Sequence, residues 1–370
     1  MIINFLIIIQ ENMNIGTEIQ KYRQEIKSER MDMSFGEIIN MYRDREIIIS
    51  PEYQRAFRWD QQRQSDFIES ILLGIPFPSI FVATNSDGKW ELIDGLQRVS
   101  TVLSFFNELK DENGNPYPKN GLKLVEGSML KELKDITIDT LPLEYKLQIK
   151  RTPCRVEIIL KESEFKMRYE LFKRLNTGGE GLSRQEIRNC IFRGLDSRYS
   201  EFVAELSQNS TFREIVNISV SNEEKMYYEE LVLRYLTLKN KGTRYSQANI
   251  QDYMDDYLES QCKEFDDAKI QADKELFFDI MKLLKNLKEQ NIFKLGKRYF
   301  TTSMYDAIML SLSESTIKLK ELDIDQLSKN IEILKENNDF NKYVGSASSN
   351  PTSITNKVKI AKKVLLDITE

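Results

Sequence analysis

The sequence predicts an α+β protein of two domains, a mixed α/β domain followed by an all-helical one. Three observations carry this reading. The chain has 370 residues, too many for one comfortable core. Up to about residue 195, short apolar runs alternate with helical patterns and turn signals. Beyond it, apolar residues recur at helical spacing and no convincing strand remains. The boundaries are an N-terminal extension over 1–33, an α/β domain over 34–195 and a helical domain over 196–370.

Met1 to Ile9 is strongly apolar but too short to span a bilayer. It lacks the basic flank and small-residue cleavage site of a secretory signal. Met13 precedes a more ordinary polar helix, so the expectation is either a start at Met13 or a short N-terminal extension packed on the surface. Without a targeting segment the expectation is cytoplasmic, with no membrane partner.

Ser34 to Met41 reads as a short amphipathic helix with Phe35, Ile38 and Ile39 on one face. Ile47-Ile48-Ile49 is a strand. Pro51 to Trp59 is a loop dense in arginine and aromatic side chains. Gln62 to Leu73 is a helix that stops at Gly74, because the prolines of Ile75-Pro76-Phe77-Pro78 forbid continuation. Ile80 to Ala83 and Trp90 to Ile93 flank Ser86-Asp87-Gly88-Lys89, a hairpin signal. The second strand runs into Asp94-Gly95 and a helix to about Leu109, whose Val99, Val102, Leu103 and Phe106 share a face. A turn-rich insertion, Asp111 to Pro116, follows. Cys154 to Leu160 is a strand and Glu164 to Leu175 a helix, ending at a glycine-rich loop from Asn176 to Gly181. Ser183 and Glu186 form a capping box that starts the next helix.

In the C-terminal half Tyr228, Leu231, Val232, Tyr235 and Leu236 keep helical spacing. So do Leu276, Phe277, Ile280, Leu283 and Leu284, and then Val358, Ala361, Val364 and Leu365. Gly345 to Ser353 is a small polar loop, either a connector or a phosphate-contacting segment.

Composition narrows the chemistry. With 41% hydrophobic and 30% charged residues the chain is an ordinary globular one. A net charge of −5 argues against an indiscriminately basic nucleic-acid coat but leaves room for a local basic groove. Arginines cluster over 43–63 and basic residues again over 146–174, both interspersed with acids. The three cysteines are far apart and show no disulfide framework or zinc spacing. Histidine is absent. That excludes a Ser-His-Asp triad, a histidine-metal nuclease and a Cys/His zinc site within these residues.

Asp94-Gly95-Leu96-Gln97-Arg98 is the most informative stretch. Asp94 with Gln97 three residues on fits a capping box. Arg98, however, puts a cation beside the positive end of a helix, which is unfavourable without a negative partner. A bound phosphate would supply one. Both readings stand on the residues alone.

Four motifs in order now identify a family. Pro51, Tyr53, Gln54, Arg55 and Trp59 fit P-x-Y-Q-R-x-x-x-W; Ile75, Pro76 and Pro78 fit I-P-x-P. Ile93, Asp94, Gly95, Gln97 and Arg98 fit I-D-G-x-Q-R. Leu175, Asn176, Gly178, Gly179 and Leu182 fit L-N-x-G-G-x-x-L. Together, over about residues 34–195, they resemble the N-terminal domain family of GmrSD-type, modification-dependent restriction systems.

The resemblance implies a ParB/sulfiredoxin-like domain that binds a nucleoside triphosphate with Mg²⁺ and hydrolyses it while sensing modified phage DNA. It implies catalytic roles for Asp94, Gln97 and Arg98: Asp94 holding the turn or a hydrated Mg²⁺, Gln97 orienting water and Arg98 on phosphate. It implies nucleotide contacts from Gly95, Arg98, Ser100, Thr101 and Asn176. Tyr53, Gln54 and Arg55 would line the same pocket or read a modified base. The bulk of Phe57 and Trp59 points to core packing. Leu96 stands where the family commonly has glutamine, which places hydrolysis in question. HNH-type cleavage needs histidine, so it would come from a separate nuclease partner. The alternative is a non-catalytic DNA-binding or protein-interaction module with a degenerate nucleotide site.

Overall fold

The computed structural model describes residues 27–49, 57–85, 87–111, 114–160, 165–175, 182–192, 196–287, 291–296, 300–315, 319–345 and 347–366, with six positions between 15 and 23. The apolar start and Met13, the Tyr53-Gln54-Arg55 segment and the Asn176 loop lie outside them. The protein is mixed α/β, mostly helical, and divides into two compact units, residues 1–182 and 183–370.

The first unit is built on one five-stranded mixed sheet. Its strands are β1 (Ser28–Ser34), β2 (Ile47–Ile48), β3 (Ile80–Thr84), β4 (Trp90–Asp94) and β5 (Pro153–Ile159), in the order β1-β5-β3-β4-β2. β1 runs antiparallel to β5, and β3 antiparallel to β4; the β3–β5 and β4–β2 pairs are parallel. β5 shows strand alternation: Cys154, Val156 and Ile158 are buried while Pro153 and Arg155 are exposed. β1, reading Ser-Glu-Arg-Met-Asp-Met-Ser, has no such pattern and is not predicted by sequence. It is an exposed edge strand whose Arg30 and Asp32 pair across to Glu157 and Arg155 at 2.8 and 3.1 Å.

The helices of this unit follow from their caps. α1 (Phe35–Arg43) starts at Ser34, whose Oγ accepts from the Glu37 amide at 3.1 Å. It buries Phe35, Ile38 and Ile39, the face expected from spacing. α2 (Gln61–Leu73) is capped by Asp60 and ends at Gly74, which takes the left-handed conformation (φ 69°) that glycine adopts without steric cost. α3 (Leu96–Phe105) ends four residues before the expected Leu109. Asn107 turns left-handed (φ 61°), and the Glu108 amide donates back to the Leu103 carbonyl at 2.8 Å, closing a Schellman-type end. α4 (Leu143–Arg151) leads into β5, and α5 (Phe165–Leu175) packs on β4.

Phe35, Phe67, Phe77 and Trp59 form one aromatic cluster, with centroid separations of 5.4–6.3 Å and mostly edge-to-face geometry. Phe57 is also buried. The core reading of Phe57 and Trp59 therefore holds.

A buried carboxylate organises the loop after α3. Glu69 on α2 accepts from the amides of Ser128, Met129 and Leu130 at 3.2, 2.9 and 2.6 Å, and from Ser128 Oγ at 2.9 Å. Burial alone would raise its carboxyl; the bonds from Leu130, Met129 and Ser128 outweigh burial and hold it below its ordinary value.

In the second unit every regular element among the described residues is helical: α6 (Arg184–Phe192), α7 (Ser197–Ser207), α8 (Ser210–Ile215), α9 (Val220–Glu224), α10 (Tyr227–Lys241), α11 (Ile250–Lys263), α12 (Asp267–Lys285), α13 (Thr302–Ser313), α14 (Ile324–Glu336), α15 (Asn338–Asn341) and α16 (Pro351–Leu366). The predicted capping box is present in full. The Ser183 amide donates to Glu186 Oε2 at 2.7 Å, and the Glu186 amide to Ser183 Oγ at 3.1 Å. α13 is the core of this unit, buried along nearly its whole length and packed against α10, α12 and α16.

The Glu69 arrangement predicts an acid-labile element. A depressed carboxyl contributes stability that is present above its unfolded value, about 4.3, and lost as pH falls through the folded one. Glu69→Gln should cost roughly 1–3 kcal/mol at neutral pH and flatten the acid limb of a urea-midpoint-against-pH curve. An unchanged curve would refute the role given to Glu69.

Candidate functional site

The end of β4 is irregular before the turn begins. Phe81 pairs with Asp94 while the next residue, Val82, pairs with Leu92, so the ladder shifts register around Ile93. Leu92 and Ile93 are both buried. Bulges of this kind re-aim side chains at strand ends, and here the re-aimed residue is Asp94.

Gly95 follows in the left-handed region (φ 96°) and is the N-cap of α3. A Cβ on it would lie 2.5 Å from Ile80 Cγ2. Dihedral and space thus both require glycine.

The capping box expected of Asp94 and Gln97 does not form. No side chain caps α3. Gln97 Oε1 instead accepts from the amides of Arg58 and Trp59 at 3.1 and 3.0 Å. The physical reason is position: with Gly95 as N-cap, Gln97 is one residue short of the place from which a box closes. Among the described residues, no acceptor faces the amides of Leu96 and Arg98.

Arg98 is spent within the fold. Its Nη2 donates to Asp94 Oδ2 at 2.9 Å, and its Nη1 to the carbonyls of Pro78 and, at 3.1 Å, Ser79. Its side chain is only 12% exposed and that of Asp94 32%. Asp94 therefore answers the cation that seemed misplaced at a helix start. Nearby on β5, burial pushes the Cys154 thiol up to about 11, with Arg98 pulling the other way.

Gln97 and Arg98 thus join three of the four motifs: the loop at Arg58-Trp59, the Pro76–Pro78 segment and the turn itself. α5, which leads toward the fourth motif, packs on β4. Sequence reading found these motifs but not their backbone roles. It also missed Lys119, whose Nζ donates to the Phe57 carbonyl and sits 4.7 Å from that ring's centroid.

Other expected site residues fall differently. Ser100 and Thr101 are fully buried. The Thr101 hydroxyl donates to the Gln97 carbonyl at 2.7 Å, and Ser100 Oγ has no partner. Neither is presented to a surface ligand. Leu96 is buried as well, so its departure from glutamine fills core. Tyr53, Gln54, Arg55 and Asn176 lie outside the described residues. Among the described residues no three acidic or cysteine side chains gather as a metal-binding set.

Residues 35–193 match the family model of the GmrSD restriction endonuclease N-terminal domain. Comparison with curated proteins and with solved structures gives no match. No helix among the described residues is long and apolar enough to cross a membrane.

If Arg98 and Asp94 act as one clasp, their truncations will not add. Arg98→Ala should cost roughly 1–3 kcal/mol. In a double-mutant cycle with Asp94→Ala, followed by urea unfolding, the coupling should be at least about 0.5 kcal/mol. Additive losses would dismiss the clasp.

Proposed function

We propose that this chain, whose residues 35–193 match the GmrSD restriction endonuclease N-terminal domain family model, is a restriction-system component: an NTP-binding, NTP-hydrolysing sensor subunit of a modification-dependent phage-defence system. Its first unit is read as ParB/sulfiredoxin-like. The observation that carries the proposal is the start of α3: a left-handed glycine opens an uncapped helix end, beside a carboxylate held in place by Arg98.

In this reading the Leu96 and Arg98 amides receive a phosphate, as helix N-termini do. Asp94 would hold a hydrated Mg²⁺, which usually takes one or two carboxylates and keeps several waters. The metal would neutralise phosphate charge. Gln97 and Arg98 are positioning residues here, because their polar atoms hold Arg58, Trp59, Pro78 and Ser79. Gln97 also ties the turn to the chain directly after Tyr53-Gln54-Arg55, the residues proposed to read modified DNA. Occupancy of the turn and reading of DNA would then share one mechanical link. With no histidine in these 370 residues, HNH-type cleavage would have to be supplied from outside them.

A second reading, a non-catalytic module with a degenerate site, is favoured by Arg98 being fully engaged and by the buried Leu96. Titration calorimetry of the triphosphates with Mg²⁺ separates the two. Binding in about the micromolar range, near −8 kcal/mol, should weaken about tenfold or more in Asp94→Asn, which keeps an acceptor for Arg98. Triphosphatase activity should rise with modified DNA. Absence of binding at millimolar triphosphate would leave the module reading.

A further inference from the structure

The second unit holds a polar cavity of about 330 Å³ on which the foregoing proposal does not depend. Its wall includes Asn222, Tyr227, Thr302, Ser303, Gly345 and Ser348. Part of it is the N-terminus of α13. Thr301 caps that helix by accepting from the Met304 amide. Among the described residues, the amides of Thr302 and Ser303 have no acceptor.

A charge imbalance lies directly behind this wall. Arg234 and Asp306 form a two-pronged pair, with Nε–Oδ1 and Nη2–Oδ2 both 2.7 Å, and both side chains are at least 95% buried. Lys357, 1% exposed, donates to Ser303 Oγ at 2.9 Å and to the Ser348 carbonyl at 2.8 Å. Both acceptors belong to residues that line the cavity. No carboxylate among the described residues pairs with Lys357, since both oxygens of Asp306 are taken by Arg234. Two buried cations therefore share one buried anion, whereas buried charges are ordinarily paired. Burial lowers the Lys357 ammonium to about 8; Asp306 opposes this and Arg234 adds to it.

We infer that this cavity binds the phosphate group of a small phosphorylated molecule, received by the Thr302 and Ser303 amides in front of the buried Lys357. The helix end supplies donors and a partial positive charge, and the ammonium supplies the missing counter-charge. The cavity is at the lower end of small-ligand pockets, large enough for more than a bare anion. Tyr227 and Phe300, edge to face at 6.2 Å, form an apolar side. Tyr227 OH is held by Thr302 Oγ1 at 3.0 Å. The Gly345–Ser353 loop, open between connector and phosphate contact on sequence alone, brings Gly345 and Ser348 to this wall.

The test uses the full chain with inorganic phosphate and adenosine 5′-monophosphate as probes, read by calorimetry and thermal shift. Saturable binding of either supports the site: tighter binding of the nucleotide identifies a phosphate ester, and equal or tighter binding of phosphate identifies the free anion. Asn222 is exposed at the cavity mouth, so Asn222→Asp should fold normally and weaken binding roughly tenfold, with Asn222→Lys strengthening it comparably. Lys357→Met should abolish binding. Asp94→Asn should leave this binding unchanged, which separates it from the turn of the first unit. No binding at millimolar probe, or binding indifferent to the Asn222 pair, would overturn the inference.

Discussion

The Arg98 guanidinium is the contact on which the first unit's organisation depends. It is a nearly buried cation at the wrong end of a helix, and three acceptors make it tolerable: the Asp94 carboxylate and the carbonyls of Pro78 and Ser79. Each acceptor is placed by something else. The register shift in β4 aims Asp94, the left-handed Gly95 lets the chain turn against Ile80, and two prolines hold the approach to β3 out of helix. Buried pairs of this kind are weak sources of net stability but costly to break. Their effect here is to allow one arrangement of loop, turn and helix.

Gln97 extends the same constraint to the loop on its other side. One amide oxygen satisfies two consecutive backbone donors, which would otherwise be left at the edge of the aromatic cluster around Phe67. Adjacent residues of one motif thus grip two different segments. A change in the turn's occupancy would be felt by both, without any large movement of the sheet.

Much of this was legible in the sequence. The hairpin of β3 and β4, the stop at Gly74 and the inward face of α1 follow from periodicity and turn chemistry alone. The Ser183–Glu186 box formed as its residues suggested. The Asp94–Gln97 box, of the same spacing, did not, because the strand runs one residue further and leaves Gly95 as the cap. A residue pattern states which donors and acceptors are near; backbone position decides which of them meet. β1 was illegible for another reason: an exposed edge strand needs no apolar alternation, only a neighbour to pair with. Arg98 was recognised as anomalous, but its carbonyl partners lie about twenty residues away and carry no side-chain signature. The imbalance around Lys357 was equally hidden, since it exists only once helices distant in sequence pack together.

The place of β5 in the sheet has a consequence for the order of events during synthesis. β5 lies between β1 and β3, yet it is the last of the five strands to be made. Ser28 waits for Ile159, its partner in the ladder. Until then the first strand has no neighbour and β3 has one open edge. Such distant pairing is slow to close, and an unpaired edge is open to other chains meanwhile. The charged sequence of β1, of no use for burying anything, is well suited to that interval: it keeps a waiting strand in water until its partner leaves the ribosome.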